Sequence, residues 1–281
     1  MKNILVPTDF SPEALYALEA AVQLAHRSQG HVMLLHVVDL PPVAHMATSG
    51  SRVSDDSLNN VFVLKMLQAT KRRLHALMAE ARQQAPEVPV TDLVLTAGFE
   101  DSVLQAIHDH HIDLVVMGAH KHTSWTRFFL NSNTERVMRV APCPVLNVKH
   151  PAIDFDVRHL VFASDFSPEA DLAVPGLHQL QALFPEATLH LLDVVPSADR
   201  HTQALATIHE FAARHHLTHY QPEVFDAPQA RTGIPRFAAQ AHADLVVMLT
   251  HGRSALRHLF QGSISEDVAL HAQPPVLTLH A

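Results

Sequence analysis

The chain has little cysteine and no excess of basic residues, and these two shortages exclude several classes of protein. One cysteine, Cys143, among 281 residues excludes an internal disulfide framework and is typical of a reducing compartment. Lys and Arg number 20 against 28 Asp and Glu, a net charge of -8. Phosphate groups would repel such a chain. We therefore expect neither nucleic acid nor a membrane surface as a partner.

Long apolar runs are missing as well. The apolar stretch before Pro7 is far too short for the apolar core of a signal peptide, and no run approaches the roughly 18 residues of a membrane span. We expect a soluble, cytoplasmic protein. The 47% of hydrophobic and 17% of charged residues exclude a disordered chain, and the length predicts two domains of about 150 residues each.

The sequence contains an internal repeat. Residues 9–14, Asp-Phe-Ser-Pro-Glu-Ala, recur unchanged at 165–170, and residues 113–117, Asp-Leu-Val-Val-Met, recur at 244–248. The two offsets, 156 and 131 residues, make the second copy shorter by about 25 residues between these blocks. Two blocks that recur in the same order predict a duplicated domain.

Each copy, residues 1–150 and 151–281, alternates apolar strands with amphipathic helices. The first copy predicts, in chain order, strand 3–6, helix 11–28, strand 31–38, helix 58–84, strand 91–96, a short helix, strand 113–117, helix 132–140 and strand 144–148. Strands rich in Val, Ile and Leu indicate parallel sheets buried on both faces. We predict an α/β fold with two doubly wound, Rossmann-like, five-stranded parallel sheets, in which ligands bind at the carboxyl ends of the strands.

The loop after the first strand carries an aspartate in both copies. Its residues are Pro7, Thr8 and Asp9 in the first copy and Ala163, Ser164 and Asp165 in the second. An aspartate at this place either accepts hydrogen bonds from an adenine amine or a ribose hydroxyl, or it orders the turn into the following helix. The sequence leaves both roles open.

The loop after the fourth strand combines small residues with a serine at a helix start. The first copy reads Gly118-Ala119-His120-Lys121, nine residues, then Asn131-Ser132, and the second reads Leu249-Thr250-His251-Gly252, nine residues, then Gly262-Ser263. Small residues let backbone amides approach a phosphate, and a helix N-terminus favours an anion. The alternative is an ordinary glycine turn followed by a serine N-cap.

Together these segments resemble the universal stress protein family in its tandem-domain form. The resemblance rests on Val-Pro-Thr-Asp-Phe-Ser, Leu-Leu-His-Val-Val, Asp-Leu-Val-Val-Met-Gly and Cys-Pro-Val-Leu, and it covers both copies. It implies the strand order 3-2-1-4-5 in each sheet and a pseudo-two-fold pairing of the two domains through strands 145–148 and 276–279. It further implies binding of ATP or another adenine nucleotide, with or without Mg, in one or both domains, and leaves a homodimer open.

The resemblance assigns roles to individual residues. Asp9 would contact the base or the ribose, Val38 would flank the base, and Gly118, Asn131 and Ser132 would hold the sugar and the phosphates. The other residues of this predicted site are Pro7, Thr8, His120, Lys121 and Asn133. The matching residues of the second copy are Ala163, Ser164, Asp165, Val194, His251, Gly252, Gly262 and Ser263.

Both copies depart from the family's ATP-binding motif, which places glycines at three spaced positions before a serine or threonine. Lys121 and Asn131 replace two of these glycines in the first copy, and Leu249 replaces one in the second. Lys121 offers a positive charge to a phosphate, and Asn131 tolerates a left-handed backbone. Leu249 is bulky where the family's backbone runs close to the nucleotide. The alternative function is therefore an interaction scaffold with degenerate sites.

No catalytic motif accompanies these loops. The sequence has no Walker lysine motif, no Gly-x-Ser-x-Gly and no His-Glu-x-x-His, so slow ATP hydrolysis has only the family resemblance behind it. We interpret the 24 histidines as surface residues rather than metal ligands, because ligands must converge from different elements, and Cys143 as a small buried hydrophobe. The extra segment 39–57 is either a lid or partner surface, or an irregular excursion.

Overall fold

The computed structural model describes residues 1–38, 55–119, 133–152, 155–250 and 264–280. The elements of the first half are β1 (Asn3–Pro7), α1 (Pro12–Ser28), β2 (His31–Val37), α2 (Asp55–Gln84), β3 (Val90–Leu95), α3 (Phe99–Asp109), β4 (Leu114–Gly118), α4 (Asn133–Val140) and β5 (Val145–Val148). Those of the second half are β6 (His159–Ala163), α5 (Val174–Leu183), β7 (Thr188–Val195), α6 (His201–Arg214), β8 (Tyr220–Asp226), α7 (Ala230–Gln240), β9 (Leu245–Thr250), α8 (Ile264–His271) and β10 (Val276–His280).

The strands form one continuous sheet in the order β3-β2-β1-β4-β5-β10-β9-β6-β7-β8. Each half therefore has the order 3-2-1-4-5, and the predicted α/β fold is confirmed. Strands within a half are parallel, whereas β5 and β10 pair antiparallel, with Leu146 opposite Leu277. The two five-stranded sheets are thus joined edge to edge, because the fifth strand of each half offers an unpaired row of backbone groups to the other.

Helices cover both faces of the sheet. In β1, Ile4 and Val6 are fully buried in an apolar cluster with α1 and α2, and Leu5, between them, is buried against α3 and α4. Successive side chains of a strand point to opposite faces, so a strand that is apolar at every position is covered on both sides. Among the described residues, no helix is long and apolar enough to cross a membrane.

The connection between the halves is fixed to α1. Glu19 is 7% exposed and accepts a hydrogen bond through Oε2 from the amide of Ala152 at 3.0 Å. Arg27 pairs with Asp156 at 2.9 Å. A buried carboxylate requires such partners, because its desolvation is otherwise unfavourable. These two contacts hold the start of the second half against the first helix of the first half.

The aspartate of the repeated Asp-Leu-Val-Val-Met block fastens the first strand of each half. Asp113 Oδ2 accepts hydrogen bonds from the amides of Lys2 and Asn3 at 2.8 and 3.0 Å. Asp244 Oδ2 makes the same two bonds at 2.8 and 2.9 Å to the amides that enter β6. Each aspartate therefore satisfies two backbone donors where strand one enters beside strand four.

Candidate functional site

The turn between β1 and α1 is built by side chains that accept hydrogen bonds from the backbone. Thr8 Oγ1 accepts from the amide of Phe10 at 3.1 Å, and Asp9 Oδ1 accepts from the amide of Ser11 at 2.9 Å. Phe10 has a φ of 66°, a left-handed conformation that is rare for an aromatic residue. Ser11 Oγ then caps α1 by accepting from the amide of Ala14 at 3.2 Å. Asp9 therefore orders this turn, one of the two roles that the sequence left open.

The second half repeats the turn but not the helix cap. Ser164 Oγ accepts from the amide of Phe166 at 3.0 Å, and Asp165 Oδ1 accepts from the amide of Ser167 at 3.0 Å. Phe166 has a φ of 54°. The side chain of Ser167 makes no capping bond, and a 3₁₀ helix, Pro168–Ala173, precedes α5. The two aspartates thus hold the same backbone geometry in front of differently built helices.

Gly118 ends β4 at the point where α1 begins. A Cβ atom at Gly118 would overlap the carbonyl of Glu13 and lie 2.7 Å from the amide nitrogen of Ala14, so no side chain fits unless the backbone of α1 moves. The repeat places Leu249 at this position in the second half, half-buried and packed against the core. Gly118 is therefore needed for the close approach of α1 to β4, whatever the site binds.

A cavity of about 370 Å³ lies at the carboxyl ends of β1, β2, β4 and β5. Of the predicted site residues, it brings together Pro7, Thr8, Asp9, Gly118 and Asn133. Its position is the one expected of a doubly wound sheet, where the connections from neighbouring strands leave in opposite directions.

Val38, which was predicted to flank the base, does not line the cavity. Val38 is 3% exposed, its amide donates to Leu95 O at 2.8 Å, and Val37 lines the cavity in its place. Val194 occupies the register position of Val37 rather than that of Val38, so the alignment of the copies shifts by one residue in the second strand. Ala163 ends β6 and is 5% exposed.

Several predicted residues fall outside the described part of the chain. They are His120, Lys121, Asn131, Ser132, His251, Gly252, Gly262 and Ser263, together with positions 39–54 of the extra segment.

His36 is a cavity residue that the sequence interpretation missed. Its Nδ1 lies 2.7 Å from the carbonyl oxygen of Thr8, and its ring centroid lies 4.6 Å from that of Phe10. A carbonyl only accepts, so Nδ1 carries the proton and Nε2 is an acceptor in the neutral ring. The guanidinium of Arg73 lies 3.9 Å from the Phe10 ring centroid. The available signal was the place of His36 near the end of the second predicted strand.

The second half carries a carboxylate where the first half has this imidazole. The register pairs Pro7 with Leu35 and Ala163 with Leu192, which places Asp193 at the position of His36. Burial, and then the nearby carboxylate of Asp165, raise the pKa of Asp193. This region of the second half therefore concentrates two acidic groups, which disfavours an anionic ligand there.

An ion pair joins the third and fourth helices of each half, and the acidic and basic partners are exchanged between the halves. Glu100 of α3 pairs with Arg136 of α4 at 3.3 Å. At the same positions of the repeat, Arg231 of α7 pairs with Asp267 of α8 at 3.2 Å. The contact between the two helices is kept, and the acid and the base have changed places.

A further ion pair joins the two halves. Arg139 of α4 contacts Glu266 of α8 through Nε at 3.2 Å and through Nη2 at 3.1 Å. The side chain of Glu266 is 13% exposed and that of Arg139 44% exposed, so water reaches the guanidinium while the carboxylate is largely covered. The forked geometry of the contact is a strong one. The repeat places Leu270 and Glu135 at the exchanged positions, where a leucine excludes the equivalent ion pair.

The histidines are candidate metal ligands, and the cysteine is a candidate reactive thiol. In the part of the chain that the structure describes, no group of three or more His, Cys, Asp or Glu side chains is arranged to hold a metal ion. Cys143 is buried, and burial, with a smaller effect of the Asp113 charge, raises the pKa of its thiol to about 12. A thiol that stays protonated at neutral pH is unreactive, which confirms Cys143 as a small buried hydrophobe.

The fold and the repeated loops define a class of two-domain α/β proteins with a ligand cavity at the strand ends. The model of the universal stress protein family matches residues 1–149 and again residues 156–280. The chain therefore belongs to the universal stress protein family, as a tandem two-domain member.

Known relatives agree with this assignment. Universal stress protein Slr1230 of Synechocystis is 26% identical over 290 residues, which cover 99% of each chain. Universal stress protein MJ0531 of Methanocaldococcus jannaschii is 30% identical over 159 residues, 53% of this chain and 83% of its own. The crystal structure of a universal stress protein from Archaeoglobus fulgidus superposes with a TM-score of 0.72 and 20% identity, covering 99% of this chain and 98% of that one. At that identity the superposition shows the fold.

Proposed function

We propose that this universal stress protein binds an adenine nucleotide, ATP, ADP or AMP, in the domain formed by residues 1–150, as part of a stress response. The observation that carries the proposal is the cavity at the carboxyl ends of β1, β2, β4 and β5. Its volume of about 370 Å³ falls in the range of small-molecule sites, roughly 300–1,000 Å³.

The walls near β1 and β2 suit a nucleoside. Asp9 offers carboxylate oxygens, and His36 offers Nε2 as an acceptor when its ring is neutral. The amine of adenine and the hydroxyls of ribose are the matching donors. Val37 and Phe99 add apolar surface for a planar base, and apolar walls with a few placed polar groups are typical of ligand sites.

The start of α4 suits the phosphates. Asn133 is the first residue of α4 and lines the cavity, and a helix N-terminus presents unpaired amides and positive dipole charge to an anion. Ser132 directly precedes this helix in the sequence, and the cation of Lys121 stands eleven residues before Ser132. We assign the phosphates, and Mg when ATP is the ligand, to this end of the site.

The second half is the weaker candidate. Its two neighbouring carboxylates, Asp165 and Asp193, repel an anion. Leu249 replaces the glycine that ends the fourth strand of the first half. No residue of either half is assigned a catalytic role in this proposal.

Calorimetric titration of the full-length protein with ATP and AMP, with and without Mg, tests the proposal. We expect saturable binding near one equivalent. Asp9→Asn keeps an oxygen for the Ser11 amide but removes the charge, and should weaken binding roughly tenfold, as loss of a charged hydrogen-bond acceptor does. The matched Asp165→Asn variant should bind like the wild type. Absence of heat at millimolar nucleotide would contradict the proposal and leave the interaction scaffold.

A further inference from the structure

The cavity of the first half has a wall that comes from the second half. Beside residues of β1, β2, β4, α3 and α4, its lining includes Glu266, Ala269 and Leu270 of α8. All three belong to the repeat copy whose own predicted site lies at the ends of β6 and β9.

The first half holds this wall in place. Lys149 Nζ donates to the carbonyl of Ala272 at 2.8 Å, and Asn147 Nδ2 donates to that of Ala269 at 3.4 Å. Asn147 lies on β5 and Lys149 directly follows it, and both are buried, at 2% and 7% exposure. A cation at the carboxyl end of a helix is favourable. With the Arg139–Glu266 pair, these bonds fix α8 against the cavity.

An unsatisfied polar atom lies at the same wall. Asn147 Oδ1 is buried and has no hydrogen-bond partner among the described residues, and Asn147 is one of the residues that line the cavity. A buried amide oxygen without a partner is unfavourable and rare in folded proteins. A donor from a bound molecule would satisfy it after a small rotation of the side chain.

The chemistry of this wall indicates which part of a nucleotide it contacts. Leu270 and Ala269 are apolar, Asn147 is neutral, and the described lining contains carboxylates but no Lys or Arg. Phosphates would meet the Glu266 carboxylate there, whose partner Arg139 is already paired with it. The base is assigned to the β1 and β2 end of the cavity, and β5 lies three strands away from β2 in the sheet order. The ribose hydroxyls are therefore the donors that would find an acceptor and apolar surface here, and the sugar of the nucleoside is the part that fits.

We propose that α8 of the second half forms one wall of the nucleotide site of the first half, and that Leu270 and Asn147 set the affinity for the nucleoside. The site is then composite, since neither half contains it alone. This inference rests on the proposed function, and it makes the joined sheet a requirement for full-affinity binding.

Two variants of the full-length protein test it, with AMP as the titrant. Leu270→Trp fills the cavity from the second half and should weaken AMP binding by at least about tenfold, because overpacking displaces the ligand. Leu205→Trp is the matched control. Leu205 is also an incompletely buried leucine on a second-half helix, 36% exposed, and it does not line the cavity. It should leave binding unchanged.

Asn147→Leu removes the unpartnered oxygen and should weaken AMP binding roughly fivefold. Ser102→Ala is its control, because Ser102 Oγ is also buried and has no partner within the described ranges, but Ser102 does not line the cavity. Titration with 2′-deoxy, 3′-deoxy and N6-dimethyl analogues identifies the donor, since the analogue without it should bind the wild type and Asn147→Leu equally.

The outcomes separate the two proposals. Wild-type protein that binds no AMP overturns the proposed function itself. If the wild-type protein binds AMP and the Leu270→Trp and Leu205→Trp variants bind it with equal affinity, the composite site is overturned. Thermal unfolding of every variant identifies any that fail to fold, and if Asn147→Leu is one of them, the Leu270→Trp comparison alone decides.

Discussion

The two halves build the same turn and surround it with different chemistry. In both, a left-handed phenylalanine follows an aspartate whose carboxylate accepts from the amide two residues on. The first half places Gly118 and His36 beside this turn, and the second half places Leu249 and Asp193 there. The backbone frame of the fold therefore does not define the ligand, because the side chains at the strand ends determine charge and space.

The helix contacts beside the turn support the same conclusion. Glu100 with Arg136 and Arg231 with Asp267 occupy equivalent positions with reversed charge. Both halves place opposite charges at this contact, in reversed order. Duplication thus preserved the geometry of the contact while the residues that make it changed.

We expect the largest difference between the two halves at the end of the fourth strand. Gly118→Ala should lower the free energy of unfolding by about 3 kcal/mol, because the new Cβ overlaps the backbone of α1. Leu249→Ala gives the second half the same residue and should cost only about 1 kcal/mol, since Leu249 is half-buried. Urea unfolding of both variants measures the difference, and equal losses would show that α1 adapts to a side chain.

The neighbouring carboxylates Asp165 and Asp193 of the second half predict that the stability of the protein depends on pH. The fold raises the pKa of Asp193, so the fold disfavours its ionised form, and stability from this group falls as pH rises through the raised pKa. Asp193→Asn should therefore stabilise the protein at pH 7, by less than about 1 kcal/mol because solvent screens a half-buried group. The gain should vanish below about pH 4, the range in which an unfolded aspartate is protonated.

Unfolding curves of Asp193→Asn and wild type at several pH values check this sign. Asp165→Asn serves as the companion variant, because it removes one of the two causes of the raised pKa of Asp193. It should narrow the pH range over which ionisation of Asp193 lowers the stability. A gain that grows as pH falls would contradict the prediction.

The smallest effect is expected at the charge-reversed helix contact. Glu100→Arg places two cations together and should destabilise the protein by about 0.5 kcal/mol, the usual size for exposed pairs. Combining it with Arg136→Asp gives the first half the arrangement of the second and should restore stability. Thermal unfolding at low and high salt measures both, and a double variant no better than the single one would refute the equivalence of the two contacts.

Features that depend on neighbouring residues could be predicted from the amino-acid sequence. The alternation of strands and helices depends on spacings of a few residues, and the structure confirms it. One predicted bound differs modestly: α2 begins at Asp55 rather than at 58. Family resemblance added the strand order, which periodicity cannot supply.

The composition of the cavity depends on residues far apart in the chain, and it follows only from the folded structure. Gly118 is required because of Glu13, and His36 enters the cavity through its bond to the Thr8 carbonyl, contacts that no local pattern contains. Leu270 reaches the cavity of the other half only because β5 and β10 pair. Local sequence fixes the elements through hydrogen bonds and periodicity, whereas a site at the strand ends depends on how distant elements pack.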